Sequence, residues 1–406
     1  MPTYPWTFKS HFRLQAYGWK GTALASKRMR EAVSEIKKVS KKDPALAGEG
    51  VIELFVRLYP ALMQIDSSSG ALGTAMNKTI ESLLPILIHA DWDMNTRGKW
   101  LEKLYEAIIE DGWGTFDSLR DYWGEICAYT GLAHLWADRL LPMAKEAFTS
   151  DSYTYFVGSD MCLSCLLYTE RYDELLEVLE LRNKAWWTYN QFWGKALVKQ
   201  GKYDEALSYA EQVRSQETVN SEERSIDLFC ESVLIEAGRI EEAYEKYGLE
   251  IPSHGTYLNI YRNICKKYPT IDKKKILLDC MSRTLEKGNW FASAKEAGFL
   301  DIALECAQSS GANPDVLLRA CRDFGKKDID FAVQVGIQGI IKLITETFYE
   351  EVFPVDVVSA YQDVEKIAGE GGRLEEFREQ LGREILKHSC KPHLREVVVK
   401  RLGQQG

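Results

Sequence analysis

Apolar residues recur at three- and four-residue steps along almost the whole chain, the period of a helix that buries one face. Between Thr22 and Lys41 the stripe is Ala25, Met29, Ala32, Val33, Ile36 and Val39. Val51 to Ile65 is strongly apolar, and Asp66-Ser67-Ser68-Ser69-Gly70 breaks it with oxygens suited to cap the next helix. That helix carries Leu72, Met76, Ile80, Leu83 and Leu87, and Pro85 is expected to kink it or end it early. Trp100 to Ile108 predicts another, stopped by Gly112-Trp113-Gly114, and two more lie near Leu119–Ala128 and Leu132–Phe148. Asn313-Pro314-Asp315 reads as a helix start, an oxygen cap followed by proline. Gly369-Glu370-Gly371-Gly372 reads as a flexible break before a last pair ending in Leu394–Leu402. Residues 1–20 differ: Tyr4, Trp6 and Phe8 alternate, which predicts an extended arm or short hairpin.

From about residue 154 the pattern repeats. The clearest unit is Trp193-Gly194-Lys195-Ala196-Leu197-Val198-Lys199-Gln200-Gly201-Lys202-Tyr203-Asp204-Glu205-Ala206-Leu207. Gly194 permits close helix approach, Gly201 supplies a tight turn, and Ala206 is small enough to fit against the first helix. Related units begin their second helices at Tyr172, 31 positions before Tyr203, and at Ile240, 37 positions after it. A degenerate copy spans Gly298-Phe299-Leu300-Asp301-Ile302-Ala303-Leu304.

The unit around Gly194, Gly201, Tyr203 and Ala206 resembles a tetratricopeptide repeat, a helix–turn–helix of about 34 residues. The resemblance covers roughly residues 154–250, about a quarter of the chain. In the first unit Leu163 replaces the close-packing glycine, in the third Glu231 does, and the spacing is uneven. The N-terminal third also resembles a group of bacterial proteins without an assigned activity, through Glu31-Ala32-Val33-Ser34-Glu35-Ile36-Lys37-Lys38 and Asp66-Ser67-Ser68-Ser69-Gly70. The repeat resemblance implies an all-α fold: an irregular α-solenoid of antiparallel helix pairs, preceded by the short extended arm. It divides the chain into an aromatic and basic arm (1–20), an N-terminal helical region (21–150), the tetratricopeptide-like repeats (151–250) and a C-terminal helical-pair region (251–406). It also implies that the first helix of each pair lines a concave groove. Asp160 and Ser164, Gln191 and Lys195, and Leu228 and Ser232 are then the partner-binding row. Its mixed charge suits an extended or helical segment better than an acidic tail. The alternative is that the chain's own terminal helices fill this surface.

Composition and charge sharpen this picture in two places. Eleven prolines in 406 residues favour an α-rich chain. Residues 1–42 hold ten Lys/Arg and two Asp/Glu, a net of +8, which leaves −17 for the rest of a chain whose total is −9. Lys9, Arg13, Lys20, Lys37, Lys38, Lys41 and Lys42, interleaved with aromatics, are the candidate nucleic-acid contacts. The plainer reading is a solvated basic face with aromatics closing the end of a core. No apolar run is long enough for a membrane span or a secretory leader, and nine cysteines in no compact framework point to a reducing cytoplasm.

Recognisable catalytic signatures are lacking: no GxSxG, HExxH, phosphate loop or dinucleotide fingerprint. Cys162 and Cys165 form a CxxC inside an apolar helix, which reads as packing. His388, Cys390 and His393 fall one ligand short of a zinc site. Ser67 to Thr74 has anion-cradle chemistry but reads as a helix cap. The expectation is therefore a non-enzymatic scaffold or adaptor without cofactor or metal, binding a protein or peptide and no membrane. Two other readings stand behind it: a nucleic-acid adaptor using the basic arm, and an enzyme with a dispersed site in residues 1–150.

Overall fold

A computed structural model describes residues 4–149, 155–182, 186–216, 222–249, 255–345 and 351–403. Among them the chain is helical and contains no strand. It divides into two compact units, Met1–Ala237 and Gly238–Gly406.

The first unit begins with a 3-10 turn, Thr7–Ser10, followed by α1 (Thr22–Ser40), α2 (Pro44–Leu62), α3 (Ala71–Ile88) and α4 (Met94–Ile109). Next come two short helices, α5 (Asp117–Arg120) and α6 (Trp123–Cys127), then α7 (Thr130–Thr149) and α8 (Ser159–Tyr168). It ends with α9 (Tyr172–Glu180), α10 (Trp187–Lys199), α11 (Tyr203–Gln216) and α12 (Glu223–Glu236). The second unit holds α13 (Ile240–Ala243), a π turn at Tyr244–Gly248, α14 (Tyr257–Lys267), α15 (Lys273–Ser282), α16 (Phe291–Glu296) and α17 (Leu300–Gln308). It closes with α18 (Pro314–Phe324), α19 (Ile329–Thr345), α20 (Pro354–Glu370), α21 (Leu374–Lys387) and α22 (Pro392–Gly403).

Local chemistry explains several helix starts. Asp43, Asp93 and Asp272 each accept a hydrogen bond from the N–H three residues on, and Asn313 caps α18 with Pro314 at its first position. At α3 the expected side-chain cap does not form. Gly70 occupies the cap position at φ 69°, and Asp66 instead accepts from the Ser68 N–H within the turn. Pro85 falls in the last turn of α3, and the helix runs three residues past it.

From Tyr4 on, the N-terminal arm is a 3-10 turn followed by further turns, neither extended nor a hairpin. Trp6, Phe8, Phe12 and Tyr17 are buried in the first unit's core, because four large aromatics gain more from burial than a short arm gains from solvation. Gly50 of α2 makes room for Trp6, whose ring would meet a β-carbon there at 2.4 Å. Deeper in this core, Trp123 and Trp136 meet edge to face at 5.2 Å between ring centroids. Buried Arg97 donates to the carbonyls of Leu87 (3.3 Å), Ile88 (3.3 Å), Ala90 (2.5 Å) and Ile126 (2.7 Å), which joins α4 to the end of α3 and to α6.

One turn recurs through both units. Glu170, Gly201, Gly238, Gly298 and Gly372 each stand two residues before a helix, with φ of 58°, 72°, 75°, 82° and 68°. In four of these turns the next N–H reaches back five residues. Arg171 donates to Leu166 (2.9 Å), Lys202 to Leu197 (2.9 Å), Phe299 to Ala294 (3.0 Å) and Arg373 to Ala368 (2.7 Å). This left-handed closure satisfies the last carbonyls of the preceding helix and reverses the chain in the fewest residues. The glycine-rich stretch from Gly369 is thus a tight turn rather than a flexible break. The feature also marks a pair that the sequence pattern hides: Ala128, φ 57°, stands two residues before α7.

Ala206 of α11 is fully buried against Leu197 of α10 and Val233 of α12. Ala206→Leu is expected to destabilise by about 1–3 kcal/mol through overpacking. An unchanged melting temperature would show that this contact has slack.

Candidate functional site

The candidate row lies on α8, α10 and α12, which pack side by side in that order. Two local features set their alignment. Glu222, just before α12, accepts from the N–H groups of Trp187 (2.6 Å) and Thr188 (3.2 Å) at the start of α10, so the two helices begin together. Gly194 of α10 faces Phe229 of α12, whose ring lies 2.7 Å from where a β-carbon would stand. That glycine therefore serves the contact between α10 and α12.

Exposure along the row rises with residue number. Asp160 and Ser164 are buried, Gln191 and Lys195 are half-buried, and Leu228 and Ser232 are exposed. What covers the first two is the chain itself, in the segment 117–125. The Ser164 hydroxyl donates to the Asp121 carbonyl (2.9 Å) and accepts from the Gly124 N–H (3.0 Å). A β-carbon at Gly124 would lie 2.5 Å from the Ser164 carbonyl oxygen, so glycine is what lets α6 sit directly on α8. The Gln191 amide donates to the Thr188 carbonyl (2.9 Å) and reaches the Asp121 carboxylate (3.4 Å). The Lys195 ammonium stands 5.0 Å over the Phe192 ring.

These contacts build an ionic cluster. Arg120 is buried; it pairs with Asp117 (2.7 Å), places its Nε 3.4 Å from an Asp160 oxygen, and donates to the Tyr155 hydroxyl. The other Asp160 oxygen has no hydrogen-bond partner among the described residues. Burial pushes the Asp160 carboxyl up to about 7, against the pull of Arg120 and with Asp121 and Asp117 adding to the rise. Burial likewise raises Asp121, opposed by Lys195 and Arg120, and lowers Lys195, opposed by Asp121, Glu125 and Asp160. Displaced titrations of this kind are frequent at functional sites and also arise in structural ion-pair networks. The geometry favours the network: Arg120 ties Asp117 on its own helix to Asp160 on α8, and Gln191 of α10 reaches Asp121. Arg120, Asp121 and Tyr155 were not among the sequence candidates. The partners stand about 40 and 70 positions apart along the chain, and no local pattern marks them.

The basic residues divide differently. Lys9 pairs with Glu53 at 3.1 Å, and Glu53 also holds Arg57 (3.3 Å) and Lys103, which keeps its carboxyl low, at about 2, despite the burial that opposes this. Arg13, Lys20, Lys37, Lys38, Lys41 and Lys42 are exposed. The aromatics beside them are mostly buried, so Tyr4 and Trp19 are the arm's exposed rings. Glu31, Glu35 and Asp43 share a surface depression with Lys38 and Lys42, which dilutes the positive field there.

Cys162 and Cys165 are both buried in α8, and burial pushes the Cys162 thiol up to about 12, away from thiolate chemistry. His388 faces Glu384 at 3.6 Å, and the Cys390 thiol points to the carbonyls of Ile385 and His388. Among the described residues, no three His, Cys, Asp or Glu side chains converge as metal ligands, and no helix is long and apolar enough to cross a membrane. Compared with known families and with curated proteins, the sequence matches no family model and no individual protein.

Proposed function

We propose that the chain is a non-enzymatic adaptor, an irregular tetratricopeptide-like α-solenoid that holds a protein or peptide on the row formed by its first helices. One observation carries the reading. α8, α10 and α12 pack in sequence, and their equivalent positions pass from filled by the chain's own residues 117–125 to open at Leu228 and Ser232. Leu228 is 50% exposed, and among the described residues Ser232 bonds only back to the Phe229 carbonyl at 2.7 Å, which leaves both for an outside partner. The binding surface is then the α10–α12 end of the row, with Lys195 at its inner edge. Asp160 and Ser164 position the covering segment and do not meet the partner.

The test uses the intact chain as bait, with Leu228→Asp and Ser232→Arg introduced together. Exposed substitutions shift stability by less than about 0.5 kcal/mol. The expected result is a stoichiometric protein retained by the parent chain and lost by the variant at an unchanged melting temperature. Equal retention places the surface elsewhere. Nucleic acid in the eluate, or turnover of a metabolite, would overturn the adaptor reading.

A further inference from the structure

In the second unit, α17, α19 and α21 pack side by side, and a cavity of about 320 Å³ opens among them. Four primary amides line it: Gln308 at the end of α17, Gln334 and Gln338 on α19, and Gln380 on α21. Leu304 and Ile337 add an apolar floor, and Arg383, Glu384 and Lys387 form a rim along α21. The rim is close to neutral, because Lys387 pairs with Glu384 at 2.6 Å and Arg383 reaches Glu379 at 3.8 Å.

Gln338 is the telling residue. It is 8% exposed, it faces the cavity, and its amide makes no hydrogen bond to any described residue. The same face of α19 shows what a satisfied polar group looks like there: Lys342, one turn on, donates to the Ser309 carbonyl at 2.8 Å. Its amide opens into the cavity rather than being sealed in the core, so water or a bound group, and no described residue, supplies its partner.

We propose that this cavity binds an extended peptide segment through its backbone. A primary amide offers a donor and an acceptor together, which matches the N–H and C=O of a peptide unit. Gln334 and Gln338 stand one turn apart, a rise of about 6 Å along the helix. Peptide units facing the same way in an extended chain recur every 6.4–6.8 Å or so, about two residues. The two amides of α19 can thus pair with successive peptide units, while Gln308 addresses the opposite edge beside Gln380, whose amide nitrogen already donates to Glu376 at 3.1 Å. A nucleotide fits poorly: the lining has no aromatic face for a base, and Glu384 opposes a phosphate. The site lies in a different unit from the α10–α12 row and does not depend on it.

The probe is N-acetyl-Ala-Ser-Ala-Ser amide, titrated into the full chain and followed by saturation-transfer NMR. Saturable binding is expected below about 10 mM. Gln338→Leu should weaken it at least tenfold while melting at the same temperature or higher, a combination that a structural glutamine would not give. Gln334→Ala, an exposed change, should weaken it several-fold. N-methylation of alternate peptide nitrogens should abolish it. No saturation, equal binding by Gln338→Leu, equal binding of the N-methylated peptide, or preferential binding of adenosine or glucose would each overturn the proposal.

Discussion

Replacing Arg97 with alanine is expected to lower the stability of the first unit by at least about 4 kcal/mol. The guanidinium donates to four carbonyls, three of them at the end of α3 and the turn that follows, and one in α6. Removing it takes a charged donor from all four oxygens, of which Leu87 and Ala90 keep backbone partners in the N–H groups of Ala90 (3.4 Å) and Trp92 (3.0 Å); each hydrogen bond to a charged group contributes about 1.5–3 kcal/mol. It also opens a cavity where one of the largest fully buried side chains stood, beneath the Trp92 ring. The positive charge there opposes the negative end of α3 as well. Arg97→Lys keeps the charge but not the planar fork, and should lose about half as much. Urea unfolding of both variants provides the measurement. If the alanine variant unfolds within about 1 kcal/mol of the parent, this joint is not what ties α3, α4 and α6 together.

The second large effect belongs to the Arg120 cluster and depends on pH. The ordinary Asp carboxyl titrates at 3.8, and burial pushes Asp160 up to about 7 in the folded chain. Between these values the folded chain holds a proton that the unfolded chain has lost. The resulting contribution to stability is fully present below 3.8 and is lost as pH rises through about 7. Arg120→Met removes the cation that limits the rise. It should cost about 3–5 kcal/mol at high pH, where Asp160 is left as a buried unpaired charge, and much less at pH 5, where the carboxyl keeps its proton. Asp160→Asn should do the reverse: with no proton to lose, its stability should not decline between pH 4 and 7. The gap between it and the parent should change by up to about 4 kcal/mol across that window. Parallel pH–stability curves for parent and Asp160→Asn would show that the carboxyl stays ionised in the fold.

What was legible in the sequence is what depends on near neighbours. Helical stripes, the caps at Asn313 and Pro314, and the turns at Gly201, Gly238 and Gly298 all rest on residues within one or two turns of each other. At Glu170 the helix start at Tyr172 was legible though no glycine marks the turn, and at Ala128 the left-handed residue before α7 carries no local signal at all. The run from Gly369 misled in the opposite way, since the residues of a tight turn are also those of a flexible linker. The arm misled because alternating aromatics suit a strand and a buried clasp equally. At the candidate row, helical spacing placed Asp160 beside Ser164 and Gln191 beside Lys195. Spacing carries no information about what lies above a face, and the cover came from residues 117–125 through contacts about 40 to 70 positions away.

The recurring left-handed turn bears on how the chain emerges during synthesis. Four of these turns close through a backbone bond spanning five residues, so they need nothing still inside the ribosome. A ribosome adding about 5–20 residues per second delivers a pair of roughly 30 residues in seconds. A short helical hairpin closes in microseconds. Pairs are therefore set in order as they appear, and the contacts still open at any moment are the long ones. Among those, the Gln191 approach to Asp121 waits longest, for 70 residues of intervening chain. Until α10 arrives, Asp121 lacks its Gln191 partner. Asp160 waits for nothing downstream to meet its cation: Arg120 and the covering residues 117–125 precede it, so docking α8 on that segment is what takes the carboxyl out of solvent and changes its proton affinity.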